Sequence, residues 1–264
     1  MEQTVRNVMA PHRRSVVAST APVCASAALS HVGKVRRINE DACLDRADIG
    51  LFVVADGVGG AHAGDRASGL IVEALGKVSQ PATAVGFLTQ VRDSLQAVNQ
   101  LLRLEAQSLA GRTIASTVVA LLFFGQHYAC AWAGDSRLYL LRNGRLRQIT
   151  RDHSEVQELV DAGQISPEEA RHHPRGNLIT RAVGAHDELL LEMVQDQLRP
   201  GDMFLLCSDG LTKPVDDAEI ERLMVGGSPE EVVRRLVDAA LLGGGPDNVT
   251  VVAVQVIAVA ETNV

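Results

Sequence analysis

Apolar runs of four to nine residues, each closed by turn-forming or polar residues, punctuate the chain: Leu51–Ala55, Ser116–Phe124, Tyr128–Ala133, Leu138–Leu141, Met203–Cys207 and Val249–Val256. Runs of this length, bounded by Gly or Asp, predict strands. Phe124-Gly-Gln-His127 and Arg142-Asn-Gly-Arg145 read as hairpin turns, the second more strongly because Asn-Gly accepts positive φ. Strands so closely joined predict antiparallel sheets rather than repeated βαβ units. A second period runs through Leu88, Val91, Leu95, Val98 and Leu102, one apolar stripe of a helix. Ser228-Pro-Glu-Glu231 opens another, with Val232, Val233, Leu236, Val237 and Ala240 inward and Gly243 as its stop; Ser166-Pro-Glu-Glu169 repeats the start signal. Helices on both sides of a block of strands fit packing on the outer faces of sheets.

Composition narrows the function classes. The 264 residues are 46% hydrophobic but only 3% aromatic, so one large core must be built from aliphatic side chains. A formal charge of −7 excludes a general nucleic-acid binder, and no uncharged apolar run approaches the roughly 20 residues of a membrane span. Cys24, Cys43, Cys130 and Cys207 form no C-x-x-C pair and read as reduced thiols, so a cytoplasmic protein is expected. The first 37 residues hold one acid (Glu2) and six bases. We read residues 1–24 as a basic disordered leader, 25–258 as a single domain and 259–264 as a tail.

The chemistry lies in where particular acids fall. Asp56 follows Leu51–Ala55, Asp135 follows the run from Tyr128, Asp209 follows Met203–Ser208, and Asp247 stands at the mouth of the last strand; Asp41, beside Glu40, precedes another short strand. Any one of these alone reads as a turn former or helix cap. Five strand ends carrying carboxylates to a common edge are costly in repulsion and lost hydration, and a divalent cation removes that cost. Oxygen-only donors select Mg²⁺ or Mn²⁺ over zinc. Gly57, Gly59 and Gly60 let backbone approach closely, so a carbonyl can join the ligands.

Six segments, taken in order, resemble the bacterial form of the metal-dependent protein phosphatases of type 2C: Gly33-Lys-Val-Arg-Arg-Ile-Asn-Glu-Asp41; Ala55-Asp-Gly-Val-Gly-Gly60 with Gly64-Asp-Arg-Ala-Ser68; Ala133-Gly-Asp-Ser-Arg137; Thr150-Arg-Asp-His-Ser154; Cys207-Ser-Asp-Gly-Leu211; and Gly245-Pro-Asp-Asn248. The resemblance spans residues of about 28 to 257. It implies an α+β fold, a four-layer α-β-β-α sandwich of two antiparallel sheets flanked by helices. It implies two divalent cations, Mn²⁺ or Mg²⁺, with Asp56 bridging them, the Gly57 carbonyl as a further ligand, Asp209 and Asp247 completing one site, and Glu40 and Asp41 acting through bound waters. Asp135 matches the acid of a third, weaker ion, and Arg36 the residue that holds the substrate phosphate; Arg37 is its neighbour in the wrong register. The implied reaction is hydrolysis of phosphoserine and phosphothreonine on proteins by a metal-activated water, in opposition to a Ser/Thr kinase, with the kinase and its targets as partners and type VI secretion clusters as one setting. Residues 150–184 resemble the family's variable flap, the candidate for substrate contacts.

Where the family carries His after D-G-x-G-G, this chain has Ala61 with His62 following. His62 is therefore either a displaced proton-transfer residue or a plain loop residue. Ile114-Ala-Ser-Thr117 replaces a common M-G-T-T while keeping the hydroxyls. His153, His172 and His173 in the flap read as solvated loop histidines, and Asp152–Ser154 as a helix cap. A cysteine phosphatase is excluded, because Ser30, Ile49, Ser136 and Lys213 stand where its Arg belongs, six residues after each cysteine. Neither a G-x-S-x-G elbow nor a phosphate-binding G-x-x-x-x-G-K-[ST] loop is present. The remaining rival is a catalytically silent phosphoprotein-binding module of the same fold, whose mark would be loss of a ligand Asp.

Overall fold

Alternate residues of each long strand face different partners, and that alternation builds the layers. The computed structural model describes residues 22–59, 63–108, 113–171 and 173–259. One sheet contains β1 (Val23–His31), β11 (Val249–Ala258), β10 (Met203–Cys207), β7 (Arg137–Arg142) and β8 (Arg145–Gln148), in that order. The other runs β2 (Asp41–Arg46), β3 (Leu51–Val58), β5 (Val118–Phe124), β6 (His127–Ala133) and β9 (Glu192–Gln197), with the two-residue β4 (Ala115–Ser116) paired to β3. Every pairing is antiparallel.

Between the sheets, Phe52, Val54, Val119, Leu121 and Phe123 meet Leu138, Leu140, Phe204, Leu206, Val252 and Val254. The few aromatics concentrate here: Phe123 packs edge-on to Phe204 at 5.3 Å, and Tyr128 to Phe204 at 4.8 Å. The intervening residues Leu51, Val53, Ala120 and Leu122 face outward onto α1 (Ala63–Gly76) and α2 (Ala84–Ser108). On the opposite outer face, Leu205, Cys207, Val251 and Ala253 pack under α6 (Asp217–Met224) and α7 (Pro229–Leu242). The result is the expected four-layer sandwich.

Local signals hold at the caps. Ser228 accepts from the Glu231 backbone while the Glu231 carboxylate accepts from the Ser228 backbone, a complete capping box. Asn143 and Gly144 both take positive φ in the β7–β8 turn. The expected strand over Ser116–Phe124 is broken at Thr117, which steps out of the ladder to bind the strand carrying Asp56. The flap holds α3 (Glu155–Asp161), capped by Ser154, and α4 (Pro167–Arg171). Strand β1 begins at Val23, two residues ahead of the expected domain start, and most of the leader (1–21) and of the tail (260–264) lies outside the described residues.

Candidate metal centre

The acids converge because both sheets end together. Asp41 opens β2 directly across from Asp56 near the end of β3, a like-charged cross-strand pair that destabilises unless a cation intervenes. The β6–β7 turn presents Asp135, the end of β10 presents Asp209 as the first residue of α5 (Asp209–Thr212), and the loop entering β11 presents Asp247.

Buried polar side chains fix these positions. Ser208 donates from Oγ to Asp41 Oδ2 at 2.8 Å and accepts from the Thr250 backbone at 3.0 Å, joining the two sheets under the acids. Asn248 accepts from the Glu40 backbone at 2.8 Å and donates to the carbonyls of Val32 and Ile38, each at 2.9 Å. It thereby stitches the loop that carries Arg36 to the loop that carries Asp247. Thr117 Oγ1 accepts from the Asp56 backbone at 3.0 Å and shares a 2.7 Å hydrogen bond with Ser136, tying the Asp56 strand to the Asp135 turn.

Gly57 has to be glycine: a Cβ there would lie 2.1 Å from the Gly64 carbonyl oxygen and 2.6 Å from that of Glu40. This close approach brings the first turn of α1 onto β3 and keeps Gly57 backbone beside Glu40, whose carbonyl accepts from Gly57 N–H at 3.0 Å and from Ser68 Oγ at 2.6 Å.

The electrostatics record the crowding. Burial, followed by the charges of Asp41, Asp209, Asp135 and Asp247, pushes the Asp56 carboxyl well above the usual range. Burial drives Asp135 up to about 8, with Asp209 adding to it. It drives Asp41 up to about 7 against the opposing hydrogen bond from Ser208, and Asp209 and Asp247 push the same way. Glu40 is raised chiefly by burial, partly countered by the Gly64 N–H. Among the described residues, the buried Asp41 Oδ1 has no hydrogen-bond partner.

The protein's own cations meet part of this charge. Lys213 Nζ pairs with Asp209 and lies 4.0 Å from Asp247, and Arg36 binds Asp247 at 2.9 Å. Among the described residues, no three His, Cys, Asp or Glu side chains stand closed at metal-ligand spacing. The donor set nevertheless suits a hard cation: oxygen atoms only, a glycine-lined backbone, an unpartnered buried carboxylate oxygen and mutually repelling acids.

Arg36, Glu40, Asp41, Asp56, Gly57, Asp135, Asp209 and Asp247 thus all come to one edge, whereas His62, with Gly60 and Ala61, lies outside the described residues. His153 corrects the sequence reading. It is buried rather than solvated, stacks on Trp132 at 5.9 Å, accepts from Gly134 N–H through Nδ1 at 3.2 Å and faces Glu192 through Nε2 at 2.9 Å. Burial lowers its pKa, so it serves as a neutral brace of the Asp135 turn. His172 is outside the described residues, and half-buried His173 accepts from the Arg175 backbone. Lys213 and Ser208 escaped notice as site residues, although Lys213 stands four residues after Asp209, the spacing that puts two side chains on one helical face.

Thr117→Val removes the acceptor of the Asp56 N–H and leaves buried groups unpaired. It is expected to cost about 1–3 kcal/mol of stability in urea unfolding, with wild-type stability contradicting the linking role.

Residues 30–239 match the family model described as protein phosphatase 2C. Over 234 residues the chain is 41% identical to the serine/threonine protein phosphatase PstP of Mycobacterium tuberculosis; the match takes in 88% of this chain but 45% of that protein, so the chain spans less than half of its length. Among solved structures it is similar to PppA, described as a key regulatory component of T6SS in Pseudomonas aeruginosa, at 46% identity and a TM-score of 0.83 over 89% of this chain and 98% of that one. The catalytic domain of PstP in complex with two manganese ions matches at 39% identity and a TM-score of 0.81, over 89% and 98% of the two chains.

Proposed function

The chain belongs to the protein phosphatase 2C family, and from that premise we propose that it hydrolyses phosphoserine and phosphothreonine on proteins at a dinuclear Mn²⁺ or Mg²⁺ centre. The observation that carries the reading is the convergence of Asp56, Asp209 and Asp247, with Asp41 and Glu40, on one sheet edge where their charges oppose one another. The PstP structure with two manganese ions supports the metal count.

Asp56 and the Gly57 carbonyl would hold the two ions, Asp209 and Asp247 would complete the ligand set, Glu40 and Asp41 would act through waters, and Asp135 would hold a weaker third ion. When bound, the ions supply positive charge for the phosphoryl oxygens and bring water's acidity toward neutrality. The chain's own residues do the rest. Asp56 and Asp135 are held in fixed relation through Thr117 and Ser136. Arg36, half exposed at the rim on a loop pinned by Asn248, orients the substrate phosphate through charge-assisted hydrogen bonds. The flap from Thr150 to Gly184, rooted on the Asp135 turn through His153, is the proposed surface for substrate contacts.

The likeness to PppA supports a place in the regulation of type VI secretion; the proposed role there is to oppose a Ser/Thr kinase. Among the described residues no helix is long and apolar enough to cross a membrane.

A phosphothreonine peptide assayed with Mn²⁺ and with EDTA tests the activity. Turnover with metal alone is expected. A folded chain that binds the peptide without releasing phosphate would instead make it a silent binding module. Arg36→Ala is expected to raise KM by about 10- to 100-fold with a smaller change in kcat, the loss of a charged contact to phosphate. An unchanged KM would remove Arg36 from the substrate site.

A further inference from the structure

We propose that Lys213 is a tethered counter-ion of the acidic cluster, and that its charge sets how tightly the Asp209–Asp247 site takes a divalent cation. The inference rests on the metal-centre reading above.

Lys213 follows the single turn of α5, with its backbone still helical and its N–H bonded to the Asp209 carbonyl at 2.9 Å. That turn returns its side chain over Asp209. The ammonium pairs with the Asp209 carboxylate and stands 4.0 Å from Asp247, so it joins acids delivered by two separate segments. The side chain is only 34% exposed and turns inward among the carboxylates rather than out to water. Arg36 approaches Asp247 from the opposite loop, and among the described residues Lys213 is the cation that ion-pairs with both Asp209 and Asp247.

A divalent ion seeking Asp209 and Asp247 meets a positive charge already seated there. It must displace the ammonium or bind beside it, and a like charge a few ångströms away in a partly desolvated site weakens binding. Without metal, the same ammonium relieves repulsion among acids that otherwise oppose one another. Lys213 therefore stabilises the protein before metal binds and lowers metal affinity afterwards, setting a threshold of divalent cation above which the site fills.

The test titrates Mn²⁺ into the full chain by calorimetry, with free Mn²⁺ followed by EPR, for wild type, Lys213→Met and Lys213→Arg; each is also melted in EDTA. The Met variant is expected to bind one of its two Mn²⁺ ions, the one at the Asp209–Asp247 site, about tenfold more tightly and to melt lower in EDTA, while the Arg variant stays near wild type. Equal or weaker Mn²⁺ binding by the Met variant, with two ions still bound, overturns the role of Lys213 and leaves the metal centre standing. Absence of Mn²⁺ binding in all three folded proteins overturns the metal-centre reading itself, and this inference with it.

Discussion

Asp56→Asn is expected to lower Mn²⁺-dependent turnover by about a thousandfold or more while raising the melting temperature measured in EDTA. The two effects have one cause. Asp56 is buried and its charge is opposed by those of Asp41, Asp209, Asp135 and Asp247, all pushing its pKa up after burial. Asn keeps the shape, and the hydrogen bonds of the Asp56 backbone to Thr117 and Ser116 do not involve the side chain. What disappears is the negative charge. Without metal, that charge is a liability, so its loss relieves strain among the acids. With metal, it is the proposed bridge between the two ions, so its loss takes away both their placement and part of their affinity. A residue serving only the fold would show the reverse, a lower melting temperature with turnover nearly retained, and that pair of results would contradict the assignment.

Saturating Mn²⁺ is expected to raise the melting temperature by about 5–10 °C, and this gap should widen from mildly acidic to mildly alkaline pH. A ligand present at about a hundred times its Kd adds about 2.7 kcal/mol, which for a domain of this size corresponds to that shift. The sign of the pH effect follows from the direction of the pKa changes. Asp41 and Asp135 have folded-state values pushed up to about 7 and about 8. A carboxyl raised in the folded state contributes stability that is fully present below its ordinary value near 4, and that stability is lost as pH rises through the folded value. The protein in EDTA should therefore weaken progressively up to about pH 8. Metal binding compensates the same charges and also requires them ionised, so it strengthens over that range. Paired melting curves in EDTA and in Mn²⁺ across these pH values decide the point; a gap that narrows as pH rises would mean that the acids do not share a cation.

The elements with strong period or strong punctuation were legible from the sequence. The Ser228 capping box, the Asn143-Gly144 turn and the apolar stripe of α2 all lie where local chemistry puts them. The acids of the site were legible because each stands at the end of an apolar run, and a strand end is a place the fold cannot easily move. Other elements left little trace. Strand β9, Glu-Met-Val-Gln-Asp-Gln, is a mostly exposed edge that pairs through its backbone with β6, so its side chains need not be apolar. Strand β1 is rich in Ala and Ser because it lies on an edge under α7, where small side chains suffice. His153 was misread because burial of a neutral imidazole against Trp132 depends on residues 21 positions apart in sequence, which no local pattern discloses. Lys213 belongs to a different class: its spacing from Asp209 was visible, but its approach to Asp247 exists only after β10 and β11 are paired.

If the acids at this sheet edge hold two divalent ions, manganese should be visible there. Crystals grown with MnCl₂ and measured at the manganese absorption edge test it most directly. Two strong anomalous peaks are expected, both touching Asp56 and one also touching Asp209 and Asp247. A map from a protein shown to be folded, with no peak at this edge or with manganese held elsewhere, would contradict it.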